Sequence, residues 1–195
     1  EFIKMEMGVP GLAPSRIGTE AEIEALKHGV AQFYPMLEGY PVLSEEASRF
    51  VKNFMDVDIR PEGIIPTVGA MQASYVAFMA LTECHKGKDT ILFIDPGFPV
   101  QKTQLEVIGK PYQTFDIYEY REEKLEAKLR EYLDRGNIAG IVYSNPNNPS
   151  WVCLTDFELQ VIGKLATEYD TIILEDLAYF AMDFRKDLSH PGKAP

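Results

Sequence analysis

Cysteine is scarce in this 195-residue chain. Cys84 and Cys153 are the only two, with no CxxC spacing, and His28, His85 and His190 stand at no metal-ligand spacing from one another. A disulfide framework or a structural zinc site needs more than that, so both cysteines are read as small packed residues. Basic charge is also in short supply. The chain carries 19 Lys and Arg against 30 Asp and Glu, a net charge of −11, and no basic patch. That argues against a nucleic-acid partner, whose phosphates are held mainly by clustered Lys and Arg. No apolar run approaches the roughly 20 residues that a membrane helix needs, and no charged, apolar and small-residue signal opens the chain. A cytoplasmic location is the expectation.

The rest of the composition, 46% hydrophobic and 25% charged, is that of an ordinary soluble globular protein. Its length suggests one domain, with or without an appended arm, able to bury roughly 70% of its unfolded surface. The chain begins at Glu1 without a methionine and stops in HPGKAP, which reads as a loop. A piece of a longer protein is expected.

The N-terminal part reads as helical. Thr19 and Glu22 have the spacing of a capping box, with Ile23, Leu26 and Val30 following at helical period, so a helix is predicted from Glu20 to Phe33 and stopped by Pro35. Ala47, Phe50, Val51 and Phe54 predict a second from Ser44 to Met55. A boundary falls near Asp56 to Gly63. Beyond it, the apolar runs IIPTV, TILFID, YQTFDI, IAGIVYS and TIILED alternate with amphipathic segments, the mark of an α/β domain with a largely parallel sheet. His85 and Lys86 read as the polar end of one connecting helix. Another carries the stripe Leu125, Leu129, Tyr132 and Leu133 and ends at Gly136. In a third, Thr155 and Glu158 form a capping box, with Leu154 and Leu159 as a hydrophobic staple.

Chemistry concentrates at the ends of these runs. In Thr67-Val68-Gly69-Ala70-Met71-Gln72-Ala73, the small residues Gly69 and Ala70 open a helix whose N–H groups can approach a phosphate. The same residues also suit a plain strand-to-helix turn. Phe98 follows TILFID at the carboxyl edge, where α/β sheets bind ligands and an aromatic ring can stack on a planar one or simply cap the core. Asn148 sits in a proline-braced loop, YSNPNNPS. Asp176 lies 28 residues later and closes TIILE, so its carboxylate is partly desolvated and needs a partner. A protonated pyridine nitrogen at about 3–4 Å would gain roughly 4–5 kcal/mol at an effective dielectric near 20, a few pK units. Capping of the next segment or a lysine partner is the structural alternative.

Taken together, Tyr34-Pro35 with Gly39, VGAMQA, DPGFP, SNPNNPS and EDLAY resemble the large domain of the fold type I, pyridoxal-phosphate-dependent aminotransferases of the class I/II group, over nearly the whole chain. The resemblance implies a three-layer α/β/α fold with a mostly parallel mixed sheet. Residues 1–60 would form the N-terminal arm and the helices of the small-domain and dimer region, and residues 61–195 a cofactor-binding domain that stops before the Schiff-base lysine. It further implies that Gly69, Ala70 and Met71 hold the phosphate of pyridoxal phosphate and that Phe98 stacks on its ring. Asn148 and Tyr179 would bond the ring's 3-hydroxyl oxygen, and Asp176 would pair with the ring nitrogen. Tyr34 would reach the phosphate in a neighbouring subunit, implying a homodimer, and Gly8 and Pro10 would line the substrate pocket. The implied activity is amino-group transfer between an amino acid and a 2-keto acid in the complete enzyme, with this chain inactive alone. Lys186 and Lys193 lie in the wrong context to be the catalytic lysine.

One departure from the family pattern is local: Pro149-Ser150-Trp151 stands where Pro-Thr-Gly is usual. Two other readings remain open at this point. A pyridoxal-phosphate lyase would share the motifs around the ring, and a noncatalytic aminotransferase-like sensor domain would share the fold. A nucleotide-binding domain is less suited, since VGAMQA lacks both G-x-G-x-x-G and the P-loop lysine.

Overall fold

The computed structural model describes residues 2, 3, 8 and 11–182. Pro10, Lys186, His190 and Lys193 lie outside the described residues. Two helices come first, α1 (Arg16–Lys27) and α2 (Pro41–Met55), followed by α3 (Gly69–Cys84). The chain then alternates: β1 (Thr90–Asp95), α4 (Pro99–Ile108), β2 (Tyr112–Asp116), α5 (Glu123–Leu133), β3 (Ile138–Ser144), α6 (Asp156–Glu168) and β4 (Ile172–Asp176).

The strands lie in the order β2-β1-β3-β4, every neighbouring pair parallel. Both faces of the sheet are covered, as a parallel sheet requires. On one face Leu92, Ile94, Ile141 and Tyr143 pack with Leu125, Leu129 and Leu133 of α5 and Val161, Ile162 and Leu165 of α6. On the other, Ile91, Phe93 and Val142 meet Phe78 and Leu81 of α3 and Leu105 of α4. This is the expected three-layer α/β/α arrangement. Truncating a fully buried leucine such as Leu129 would cost about 2–5 kcal/mol.

A bulge sets the faces of β3. Thr90 pairs with Ile138, but Ile91 pairs with Gly140, which leaves Ala139 as an extra residue. Ile138 and Ile141 therefore share one core, while Ala139 and Val142 share the other. Gly140 fits closely there, and a side chain would ask its neighbours to give by a few tenths of an ångström. A Cβ would come within 3.1 Å of Leu81 Cδ1 and 3.4 Å of the Ile172 carbonyl oxygen.

Several sequence expectations need correction. IIPTV is not a strand among the described residues: Ile64 is extended, but Pro66 has no N–H to give to a ladder, and Ile65 and Val68 are exposed. The first helix begins at Arg16, capped by Ser15, and Thr19 Oγ1 turns back to the Ser15 carbonyl. It stops at Lys27 because Gly29 takes a left-handed φ of +79°, and only a short 3-10 turn, Val30–Gln32, follows. The second helix begins three residues early, with Pro41 at its first turn, where a missing N–H costs nothing. Cys84, the last residue of α3, is exposed rather than packed, and Cys153 is half-buried. Among the described residues no helix is long and apolar enough to cross a membrane.

The capping box at α6 forms, with Leu154 and Leu159 both against the core. Its glutamate does more than cap. Glu158 is fully buried, and both its oxygens accept from Arg121, Nε at 2.5 Å and Nη2 at 2.7 Å, while the Glu122 and Thr155 backbone N–H groups also donate to it. Burial pushes this carboxyl up, but the guanidinium and the two N–H groups together hold it below the usual carboxylate range. Its stabilising contribution is therefore complete above the ordinary glutamate value of about 4.3 and is lost as pH falls through the lower folded value. Replacing Glu158 with Ala should cost about 3 kcal/mol or more, because a guanidinium and two N–H groups lose their acceptor. Urea denaturation at pH 7 measures that loss, and below pH 4 the gap between the variant and the native protein should narrow.

Candidate active site

Strand order decides where a ligand can sit. From β1 the chain moves outward through α4 to β2, then returns through α5 past β1 to β3, so the direction of winding reverses between β1 and β3. Carboxyl ends on either side of such a reversal leave a crevice. It is occupied by a cleft of about 150 Å³.

Four elements supply its walls. The first turn of α3 contributes Ala70 and Met71, preceded by Gly69 at φ +76°, and Val68 N–H is satisfied by the Gln72 side chain at 2.5 Å. Ala70 and Met71 occupy positions whose N–H groups have no acceptor within the helix. After β1, Phe98 enters the cleft from the residue just before α4, where Pro99 fixes the start of the helix. β3 ends at Ser144 and the loop after it brings Asn148, and β4 ends at Asp176, followed by Ala178 and Tyr179.

Six of the residues picked out from the sequence thus line one cleft: Ala70, Met71, Phe98, Asn148, Asp176 and Tyr179. Gly69 adjoins it. Tyr34 does not enter it and is fully exposed. Gly8 lies at a neighbouring groove shared with Asn148 and Tyr179.

Asp176 is half-buried and held at both oxygens. Gln101 Nε2 donates to Oδ2 at 3.0 Å, and the Ala178 N–H donates to Oδ1 at 3.0 Å. The second bond is the capping role considered as an alternative, and it coexists with the place in the cleft. Among the described residues no cation forms an ion pair with this carboxylate. The preceding residue, Glu175, is partly buried, where burial pushes its carboxyl up and only the Asn145 amide, at 3.5 Å, pulls it back.

Three contributors were not legible as site residues. Gln101 is buried on α4. Ser144 Oγ accepts from Asn148 N–H at 3.2 Å and from Asn147 Nδ2 at 3.1 Å. Asn147, one residue before the asparagine singled out, is the buried one. The proline-rich spacing marked the loop but not which amide it holds inward.

Trp151 closes that loop at φ +58°. The conformation suits glycine and costs a bulky residue about 1–3 kcal/mol. Its ring stands edge-on to Tyr179, centroids 6.1 Å apart.

Comparison with known proteins accords with this geometry. Residues 1–190 match the family described as aminotransferase class I and II. The aspartate aminotransferase of Pyrococcus horikoshii is 30% identical over 182 residues, which are 92% of this chain and 45% of that protein. Aromatic-amino-acid aminotransferase 2 of Thermococcus litoralis is 28% identical over 96% of this chain and 48% of its own length. Among solved structures, an alanine aminotransferase from Pyrococcus furiosus superposes with a TM-score of 0.73 at 26% identity, covering 85% of this chain and 41% of that one. The chain thus spans a little under half the length of such relatives. With the family match running through the α3 turn, both cleft loops and the β4 carboxylate, the chain belongs to the class I and II aminotransferases.

Proposed function

We propose that the complete protein transfers an amino group between an amino acid and a 2-keto acid with pyridoxal phosphate as cofactor. The observation that carries this reading is Asp176: a half-buried carboxylate facing an aromatic-lined cleft, with two neutral donors and, among the described residues, no cation. Such a group is suited to a cationic ring nitrogen, which it would keep protonated. When bound, the cofactor's pyridinium would serve as an electron sink for bonds broken at the substrate Cα.

The remaining assignments follow the shape of the cleft. The N–H groups of Ala70 and Met71, with Gly69 before them, would bind the phosphate at the positive end of the 16-residue helix α3. The space on the Cα of Gly69 is open, since an added Cβ would meet nothing within 4 Å. Phe98 would stack on one face of the ring, and Asn148 and Tyr179 would orient it through its 3-hydroxyl oxygen. Gln101 acts through Asp176, holding one carboxylate oxygen in place. No lysine lines the cleft among the described residues, so movement of the proton at Cα is assigned to none of them.

We also assign residues 1–60 to the arm and dimer region and residues 61–195 to the cofactor domain. Support comes from α1, which buries no residue, and from the exposure of Phe33, Tyr34, Met36 and Leu37. In a homodimer Tyr34 would reach the partner's site.

Addition of pyridoxal phosphate to the complete protein should produce a visible absorbance band, and an amino acid with a keto acid should give the exchanged pair. Release of ammonia and pyruvate instead would mark a lyase. Asp176→Asn should retain some cofactor but lower kcat by at least about a hundredfold, the scale of losing one preorganised electrostatic group; unchanged turnover would remove Asp176 from the mechanism. Gln101→Leu should lower kcat by about tenfold, one hydrogen bond's worth, and shift the pH profile of kcat, which a purely structural role would leave in place.

A further inference from the structure

The loop after β3 carries a feature that holding a cofactor does not require. Trp151 takes a left-handed conformation that its own side chain disfavours. The backbone leaves it no choice: its N–H donates to the Asn147 carbonyl at 2.8 Å, and Asn147 N–H donates to the Val152 carbonyl at 3.0 Å. The indole is therefore aimed by a closed loop. It remains 45% exposed, yet it is braced edge-on by Tyr179 at 6.1 Å and 72°. An outlier held by its surroundings points to a function for the side chain so displayed.

Its position suggests which one. Trp151, Tyr179, Pro149, Met182 and Gly8 line a groove of about 300 Å³ that shares Asn148 and Tyr179 with the cofactor cleft. The groove thus begins where the cleft ends. Its lining is aromatic, apolar or amide, with no charged side chain among the described residues. An acidic group entering it would lose hydration without gaining a cation, whereas a planar apolar group would gain contact with the indole and phenol.

We propose that Trp151 is a specificity-determining residue whose indole walls a subsite for a large apolar or aromatic side chain of the amino-acid substrate. The proposal rests on the aminotransferase reading above, and the two can fail separately. Trp151 is the only tryptophan among these 195 residues, and comparison with Trp151→Phe isolates its emission in the complete protein.

The test uses the complete protein loaded with pyridoxal phosphate, as native, Trp151→Gly and Trp151→Phe forms. Glycine suits the left-handed backbone, so the first variant should fold and keep the cofactor's visible band. Its ratio of kcat/KM for phenylalanine over aspartate should fall at least about tenfold, while Trp151→Phe should stay within about threefold of native. In the native protein, 3-phenylpropionate should change the indole emission saturably, a change absent from Trp151→Phe, and succinate should not. An unchanged ratio in Trp151→Gly with the cofactor band intact, or emission indifferent to 3-phenylpropionate, overturns the subsite while leaving the aminotransferase reading in place. Absence of any cofactor band or amino transfer in the native protein overturns both. Should Trp151→Gly not fold, the native and Trp151→Phe titrations decide the matter.

Discussion

One buried amide joins the two loops on which the cleft depends. Asn147 donates through Nδ2 to the Pro96 carbonyl at 2.6 Å and to Ser144 Oγ at 3.1 Å, and its Oδ1 accepts from the Ser150 N–H at 3.2 Å and hydroxyl at 2.6 Å. Pro96 belongs to the turn after β1, while Ser144 ends β3 and Ser150 belongs to the loop after it. The amide therefore bridges the point at which the winding of the sheet reverses. Without it, the loops bearing Phe98 and Asn148 would lose this direct side-chain tie. Buried polar groups satisfied on every side give rigidity of this kind, and they are costly to disturb. A bond from Asn145 N–H to the Asp176 carbonyl, at 3.1 Å, carries the β3–β4 ladder one step past its end and seats the carboxylate in the same frame.

In this strongly acidic chain, interior carboxylates differ in their partners. Asp95 has Lys102 at 2.5 Å, and Glu158 has Arg121. Asp176 has neutral donors only among the described residues, as does Glu175 beside it. Asp176 is the informative one of the two because it lines the cleft: a carboxylate left to amides there is a place where a cation is welcome. Trp151 and Tyr179 extend the same edge of the sheet outward with aromatic surface.

Local signals were the legible ones. The Thr155 and Glu158 box, the Leu125 stripe and the apolar strands after residue 89 each depend on neighbours a few positions away, and all took the expected form. Asp176 could be picked out because it ends an apolar run. Gln101 could not, since a glutamine in an amphipathic helix looks like surface until β4 is laid beside it. Arg121 is 37 residues from Glu158, and nothing in either segment announces the other. IIPTV misleads for a related reason: apolar, β-branched residues show that a segment can extend, but not that another strand waits alongside. The tryptophan in place of glycine was visible as an anomaly, yet the sequence gives no sign of the backbone angle it must bear.

The extra residue in β3 bears on how this domain can change over evolutionary time. Because Ala139 shifts the alternation by one, the strand presents its two ends in different reading frames to the layers above and below. Side chains there are interchangeable within limits of volume, but the residue count is not. Loss of that single position would turn Ile138 toward the opposite helices while Ile141 and Tyr143 kept their direction. Drift in this lineage should therefore run through substitutions along the strand and through insertions in the loops, with the length between Asn137 and Ser144 held constant.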